Sequence, residues 1–186
     1  MQGAHLKDNL ICTRLIPKDR MKRRLLMLGA TGLLANAWLP AYAREKREAS
    51  LINKTEAEWK KLLPTDSYRV LFDDGTEPAG SSALNREMRT GTFICAACHL
   101  PLFDSATKYE SGTGWPSFFD HLPGALATRR DFKLIWPRTE YHCTRCGGHQ
   151  GHVFEDGPKP TGLRYCNNGV ALRFIAKGEG LPELRT

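Results

Sequence analysis

Residues 141–148 read YHCTRCGG, and their counterpart at 93–98 reads FICAAC. Each is a short apolar run that turns at Cys-x-x-Cys, and the second continues into Gly147-Gly148. A β-like stretch ending in a tight turn aims two sulfurs at one point. The pairs Cys95/Cys98 and Cys143/Cys146 are separated by 44 residues. Four thiolates in this pattern suit a tetrahedral Zn²⁺ with no open coordination position, a structural rather than a catalytic site. The gap exceeds that of a zinc ribbon, so the intervening segment must carry structure of its own. Two other readings use the same residues: disulfides within or between the pairs in an oxidising compartment, and a redox dithiol. The dithiol reading expects a thioredoxin-like βαβ pattern, which the sequence does not contain. His99 and His142 adjoin the pairs and read as bystanders, since four sulfurs already complete a site.

Around these pairs the texture is that of a β protein. Gly, Pro and Asp recur every few residues after Pro64, and the apolar runs are short. Phe93-Ile94, Leu134-Ile135-Trp136, His152-Val153-Phe154 and Val170 to Ile175 read as strands bounded by turns. Before them, Thr55-Glu56-Ala57-Glu58 is a capping box that opens a short helix, and Pro64 stops it. The expected fold is mainly β, with one or two short peripheral N-terminal helices and a structural zinc site.

The chain has 186 residues, of which 41% are hydrophobic and 25% charged, values of a globular protein. Its formal charge of +7 suggests an anionic partner until its distribution is read. Residues 1–43 carry seven Lys or Arg and two acids, so they hold +5 and the remainder holds +2. That remainder gives little support to nucleic-acid binding. The segment 1–43 reads as an export signal: a basic run from Met21 to Arg24, an apolar stretch from Leu25 to Leu39, Pro40, and the A-x-A site Ala41-Tyr42-Ala43. Arg23-Arg24-Leu25-Leu26 resembles a twin-arginine signal, with Lys22 where that signal usually has Ser or Thr. Residues 1–20 lack signal character. The apolar stretch is short for a membrane span, though an uncleaved anchor is the competing reading. Cleavage after Ala43 would leave a polar tether at 44–54, a folded domain at 55–176 and a C-terminal tail at 177–186. The mature protein would be periplasmic, without stable membrane association.

Of the six cysteines, Cys12 lies in the leader and four form the pairs, which leaves Cys166. A buried apolar cysteine is the plain reading, but Arg164-Tyr165-Cys166-Asn167-Asn168 argues for a reactive one. On a strand, period two puts Arg164, Cys166 and Asn168 on one face. A neighbouring cation favours the thiolate, and an amide can orient the sulfur or a substrate oxygen. Upstream, His149 and His152 can supply a proton near neutral pH. Ser111-Gly112-Thr113-Gly114-Trp115-Pro116 is a Gly-flanked loop whose Trp115 either packs in the core or walls a pocket for a small apolar group.

Taken together these segments resemble the B-type methionine sulfoxide reductases. The resemblance runs from about Thr55 to Phe174. It is carried by the first pair with HLPLFDSATKYESGTGWPSF, the second pair with GGHQGHVFEDGPKPTGLRYC, and the strand ending ALRF. It implies two antiparallel sheets, zinc on Cys95, Cys98, Cys143 and Cys146, and reduction of the R epimer of methionine sulfoxide in peptides and proteins. It makes Cys166 the nucleophile that passes through a sulfenic acid. His149, His152 and Asn168 assist, Arg164 favours the thiolate, and Trp115 forms the methyl pocket. Many members carry a resolving cysteine in the Gly-x-Gly-Trp loop, where this chain has Thr113. The expected partners are therefore oxidised proteins and an external thioredoxin-like reductant. Gln150 stands where the family usually has leucine, and Asn167 and Gly169 replace an aliphatic residue and a serine. The rival class is a zinc-stabilised binding module, which leaves the Arg-x-Cys-x-Asn arrangement and the histidine pair without a role.

Overall fold

The computed structural model describes residues 52–131 and 137–186. The export segment, most of the tether and the strand expected at Leu134–Trp136 lie outside the described residues. Thr55 caps helix α1 (Glu56–Leu62): its hydroxyl accepts from the Glu58 N–H while the Glu58 carboxylate accepts from the Thr55 N–H at 2.7 Å. Pro64 ends α1, and it also serves as the N-cap of a second helix, α2 (Thr65–Phe72). Proline's fixed φ suits a helix start as well as a stop. Trp59 of α1 stacks on Phe72 of α2 at 4.9 Å, and Val70 and Leu71 carry α2 into the core. Among the described residues no helix is long and apolar enough to cross a membrane.

Among the described residues nine strands follow: β1 (Gly91–Cys95), β2 (Pro101–Asp104), β3 (Lys108–Tyr109), β4 (Ser117–Phe118), β5 (Leu126–Asp131), β6 (Arg138–Cys143), β7 (His149–Phe154), β8 (Arg164–Asn167) and β9 (Leu172–Ala176). They form a three-stranded sheet in the order β2-β1-β9 and a six-stranded sheet in the order β3-β4-β8-β7-β6-β5, with antiparallel pairing throughout. The expected mainly β architecture with two antiparallel sheets is the one observed.

The sheets meet through aromatic rings. Phe93 of β1 and Phe103 of β2 contact Phe118 of β4 at 4.9 and 4.1 Å, and Phe103 also reaches Tyr141 and Tyr165. Phe93, Phe103, Phe118 and Tyr141 are fully buried. Because side chains alternate along a strand, committing Phe118, Tyr141 and Tyr165 to the core sends Ser117, Glu140, Arg164 and Cys166 to the other face of the six-stranded sheet.

One strand begins later than the sequence suggested. Val170 and Ala171 belong to a 3-10 turn over Gly169–Ala171, and β9 starts at Leu172. The buried carboxylate of Glu77 explains this, since it accepts from the N–H groups of Gly169 at 2.6 Å and Val170 at 3.0 Å. Those donors are satisfied by a side chain and do not enter a ladder.

Candidate active site

The two Cys-x-x-Cys turns converge. The sulfurs of Cys95, Cys98, Cys143 and Cys146 all lie within 4.8 Å of one another. Cys95 Sγ is 3.7 Å from Cys146 Sγ, and Cys98 Sγ is 3.5 Å from Cys143 Sγ. A disulfide requires about 2.05 Å. Four sulfurs at about 2.3 Å from a tetrahedral ion would stand about 3.8 Å apart. The cysteines are free thiols whose spacing fits a metal and not the disulfide alternative. Both turns close with the backbone in the left-handed region: Gly147 has φ 71° after the second pair, and His99 has φ 65° at the matching place after the first. His99 is no metal ligand, because its Nδ1 bonds the Glu183 carbonyl at 2.9 Å and its Nε2 meets Arg173 at 3.1 Å. The tail is not loose here. The Arg185 N–H donates to the Cys98 carbonyl, and the buried Arg145 guanidinium donates to the carbonyls of both Cys98 and Arg185.

Cys166 lies on β8 between β4 and β7. Its direct cross-strand partners are Ser117 on one side and His152 on the other. The row continues outward, since His152 faces Glu140 and Glu140 faces Arg129. The β7–β8 approach requires Gly151, where a Cβ would come within 1.9 Å of the Cys166 carbonyl oxygen. Cys166, His152, Trp115 and Asn168 together line one cavity of about 140 Å³, as do Thr76 and Arg138. Trp115 is half-buried and walls this cavity. Its indole N–H donates to the Glu77 carbonyl at 3.2 Å.

His149 and His152 are three residues apart, which on a regular strand puts them on opposite faces. A register shift at Tyr141/His142 leaves Gln150 as an extra residue in β7, and such a bulge lets both rings turn to one side. Their centroids are 5.5 Å apart. Each ring is held by a carboxylate with an arginine behind it. His149 Nδ1 meets Glu140 at 2.7 Å, and Glu140 takes two bonds from Arg129 at 2.6 and 3.0 Å. His152 Nε2 meets Asp131 at 2.7 Å, and Asp131 accepts from Arg138 at 3.0 Å. His149 lines a smaller adjoining cavity, with His152 shared between the two.

Asn168 stands just beyond β8, at the start of the 3-10 turn. Its amide oxygen accepts from the Glu77 N–H at 3.0 Å, and its NH₂ donates to the Gln150 carbonyl at 3.1 Å. Arg164 shares a face with Cys166 but does not line the cavity. It forms a two-point bond with Asp156 at 2.8 Å and lies over the Phe154 ring at 4.3 Å. Burial raises the Cys166 pKa, and this outweighs the opposing pull of Arg164 and of the Thr113 side chain. Burial also lowers the His152 pKa against the raising effect of Asp131. The resting pair is therefore a thiol beside a neutral imidazole.

Sequence reasoning missed Asp131, Glu140, Glu77 and Thr76. The two carboxylates that hold the histidines come from β5 and β6, and only strand register brings them there. Glu77 lies in a short Gly-Thr-Glu-Pro segment that carries no signal of its own.

Comparison with known proteins places the chain. The family model described as SelR domain matches residues 63–176. Relatives named peptide methionine sulfoxide reductase MsrB include one from Leptospira interrogans, 50% identical over 124 residues, covering 66% of this chain and 95% of the relative. Another, from Methanosarcina barkeri, is 48% identical over 130 residues, covering 69% and 92%. The chloroplastic peptide methionine sulfoxide reductase B1 of Arabidopsis thaliana is 41% identical over 138 residues, covering 74% and 68%. A solved Mis18 "Yippee-like" domain matches 49% of the chain at 19% identity with a TM-score of 0.39. With the SelR match spanning both cysteine pairs and the Cys166 strand, the chain belongs to the MsrB family of peptide methionine sulfoxide reductases.

Proposed function

We propose that the protein reduces methionine-R-sulfoxide in peptides and proteins to methionine, with Cys166 as the nucleophile. The observation that carries this reading is the register of Cys166 opposite His152, inside a cavity walled by Trp115. The indole offers a flat apolar wall for the substrate methyl group, and its N–H bond to Glu77 holds the ring in place.

The resting state suits a proton that is borrowed and returned. Asp131 holds Nε2 of His152, so Nδ1 is the nitrogen available to take the Cys166 proton. The thiolate, favoured by Arg164 and Thr113, attacks the sulfoxide sulfur. As the sulfur–oxygen bond breaks, the oxygen passes to Cys166 and receives the proton back from His152. The balance is one thiol and one sulfoxide giving one sulfenic acid and one thioether. His149 and its Glu140–Arg129 clamp back the His152 ring, and Asn168 fixes the end of the strand.

Regeneration needs two further thiols, which leave as a disulfide with release of water. Thr113 occupies the loop position of a resolving cysteine, and among the described residues the other cysteines are the four clustered ones. These features favour an external thioredoxin-like dithiol. The four clustered cysteines would hold one structural Zn²⁺ that joins the two turns and stabilises the fold. The leader composition supports export to the periplasm, where the role would be repair of oxidised proteins.

Assay of both sulfoxide epimers with wild type and Cys166→Ser tests the reading. Reduction of the R epimer alone, lost in a Cys166→Ser protein that still binds one metal, is the expected result. Turnover by Cys166→Ser, or reduction of the S epimer only, overturns it.

A further inference from the structure

Gln150 is fully buried at the bulge of β7. A buried primary amide has to find partners, and this one finds them in two different sites. Its Nε2 lies 3.4 Å from Cys95 Sγ, and its Oε1 lies 3.5 Å from Nδ2 of Asn167. The amide orientation is the one that chemistry demands: an N–H faces a sulfur that would carry negative charge, and the oxygen faces an amide donor. Asn167 is itself fully buried. Its Oδ1 accepts from the buried Tyr141 hydroxyl at 2.9 Å, and its Nδ2 also donates to the Asn168 carbonyl at 2.8 Å. The Gln150 carbonyl takes the Asn168 N–H at 2.8 Å. The two buried amides thus compensate one another, each satisfying part of the other's hydrogen-bonding capacity.

A divalent ion on four thiolates carries a formal charge of about −2. In a buried site, N–H donors to sulfur spread that charge and hold the ligand in its coordinating form. We infer that Gln150 is a positioning residue of the four-cysteine metal centre, its amide donating to Cys95 while its oxygen and carbonyl fasten that centre to the Asn167–Asn168 end of the Cys166 strand. The inference rests on the metal reading of the four cysteines.

Cobalt(II) titration of the full-length protein tests it, because the thiolate-to-cobalt charge-transfer band reports the electron density on sulfur. Gln150→Leu should move that band to lower energy and raise the cobalt Kd, measured against a chromophoric chelator, by about tenfold. Gln150→Met, close in volume and unbranched, should do the same if the leucine packs poorly. Gln150→Glu, which sets a carboxylate against a thiolate, should raise the Kd further than either. An unchanged band and Kd in both the Leu and Met variants overturns the role of Gln150 alone. A weaker Kd with an unmoved band also overturns it, since lost packing and not a lost hydrogen bond would then be the cause. Absence of the band in wild type overturns the metal reading and this inference with it.

Discussion

His152 stands directly opposite Cys166 in the β7–β8 ladder, and Glu140 stands directly opposite His152, so thiol, imidazole and carboxylate form one row across three strands. The carboxylate bonded to His152 is nevertheless Asp131 at 2.7 Å, while Glu140 serves His149. The bulge at Gln150 creates this exchange of partners by bringing both rings to one side. It separates the ring facing the cavity from the ring behind it. His152→Asn should therefore lower single-turnover reduction by about 10²–10⁴-fold. Asp131→Asn should cost less, and the double variant should be no slower than His152→Asn alone, because the acid acts through the ring. Additive losses would show Asp131 working independently.

The Cys166 pKa reflects opposed effects that can be moved separately. Burial raises it most, Arg164 lowers it, and Asp156 raises it in turn. The Arg164 side chain is 10% exposed and that of Asp156 is 62%, so the acid is the outer partner of the pair. Arg164→Met should shift the alkylation midpoint of Cys166 to higher pH. Asp156→Asn should shift it to lower pH, since the guanidinium is then left uncompensated beside the sulfur. Shifts of the same sign in both variants would refute this division.

A side-chain interaction with Thr113 lowers the Cys166 pKa, and the Thr113 hydroxyl sits 2.8 Å from Ser111 Oγ, which in turn sits 2.7 Å from Ser117 Oγ. The Gly-flanked loop therefore already delivers a side chain to the reactive sulfur. Thr113→Cys should place a second thiol in reach. Turnover of one sulfoxide would then leave an intramolecular disulfide, seen by mass spectrometry as the loss of two hydrogens and of two alkylatable thiols. Wild type treated alike should show a sulfenic acid and no such bridge.

Much of this arrangement was legible in the sequence because it is local. The capping box at Thr55, the two cysteine turns and the shared face of Arg164 and Cys166 follow from spacings of two to four residues. The rest depends on register. Asp131 and Glu140 meet the histidines only because β5, β6 and β7 pair as they do, and no single-strand pattern carries that. Pro64 marks both the end of one helix and the start of the next, and the sequence shows only the stop. Val170 looks like a strand residue, yet the Glu77 carboxylate, distant in sequence, takes its N–H. Asn168 was expected to continue the strand beside Cys166, but it opens the turn that follows.

Stability should fall toward acid in two steps. Burial lowers the His152 pKa below its ordinary 6.5, as it does for His99 and His142. The unfolded chain then binds more protons than the folded one as pH drops below that value, and stability declines until the folded histidines titrate. Glu140 acts lower. Burial raises its pKa, but hydrogen bonds from Arg129 and His149 outweigh this and leave it below 4.5. Its contribution is complete above that value and is lost as pH falls through the depressed one. Cys166 has the opposite sign: its pKa is raised above 9.0, so its contribution is complete below that value and is lost at higher pH. Urea midpoints should therefore be highest near neutrality. His152→Asn should shrink the upper acid step without abolishing it, since His99 and His142 remain. Glu140→Gln should remove part of the lower step, and Cys166→Ser should flatten the alkaline side. An acid profile that is the same in His152→Asn and Glu140→Gln as in wild type would show that the charge clamps do not couple to folding.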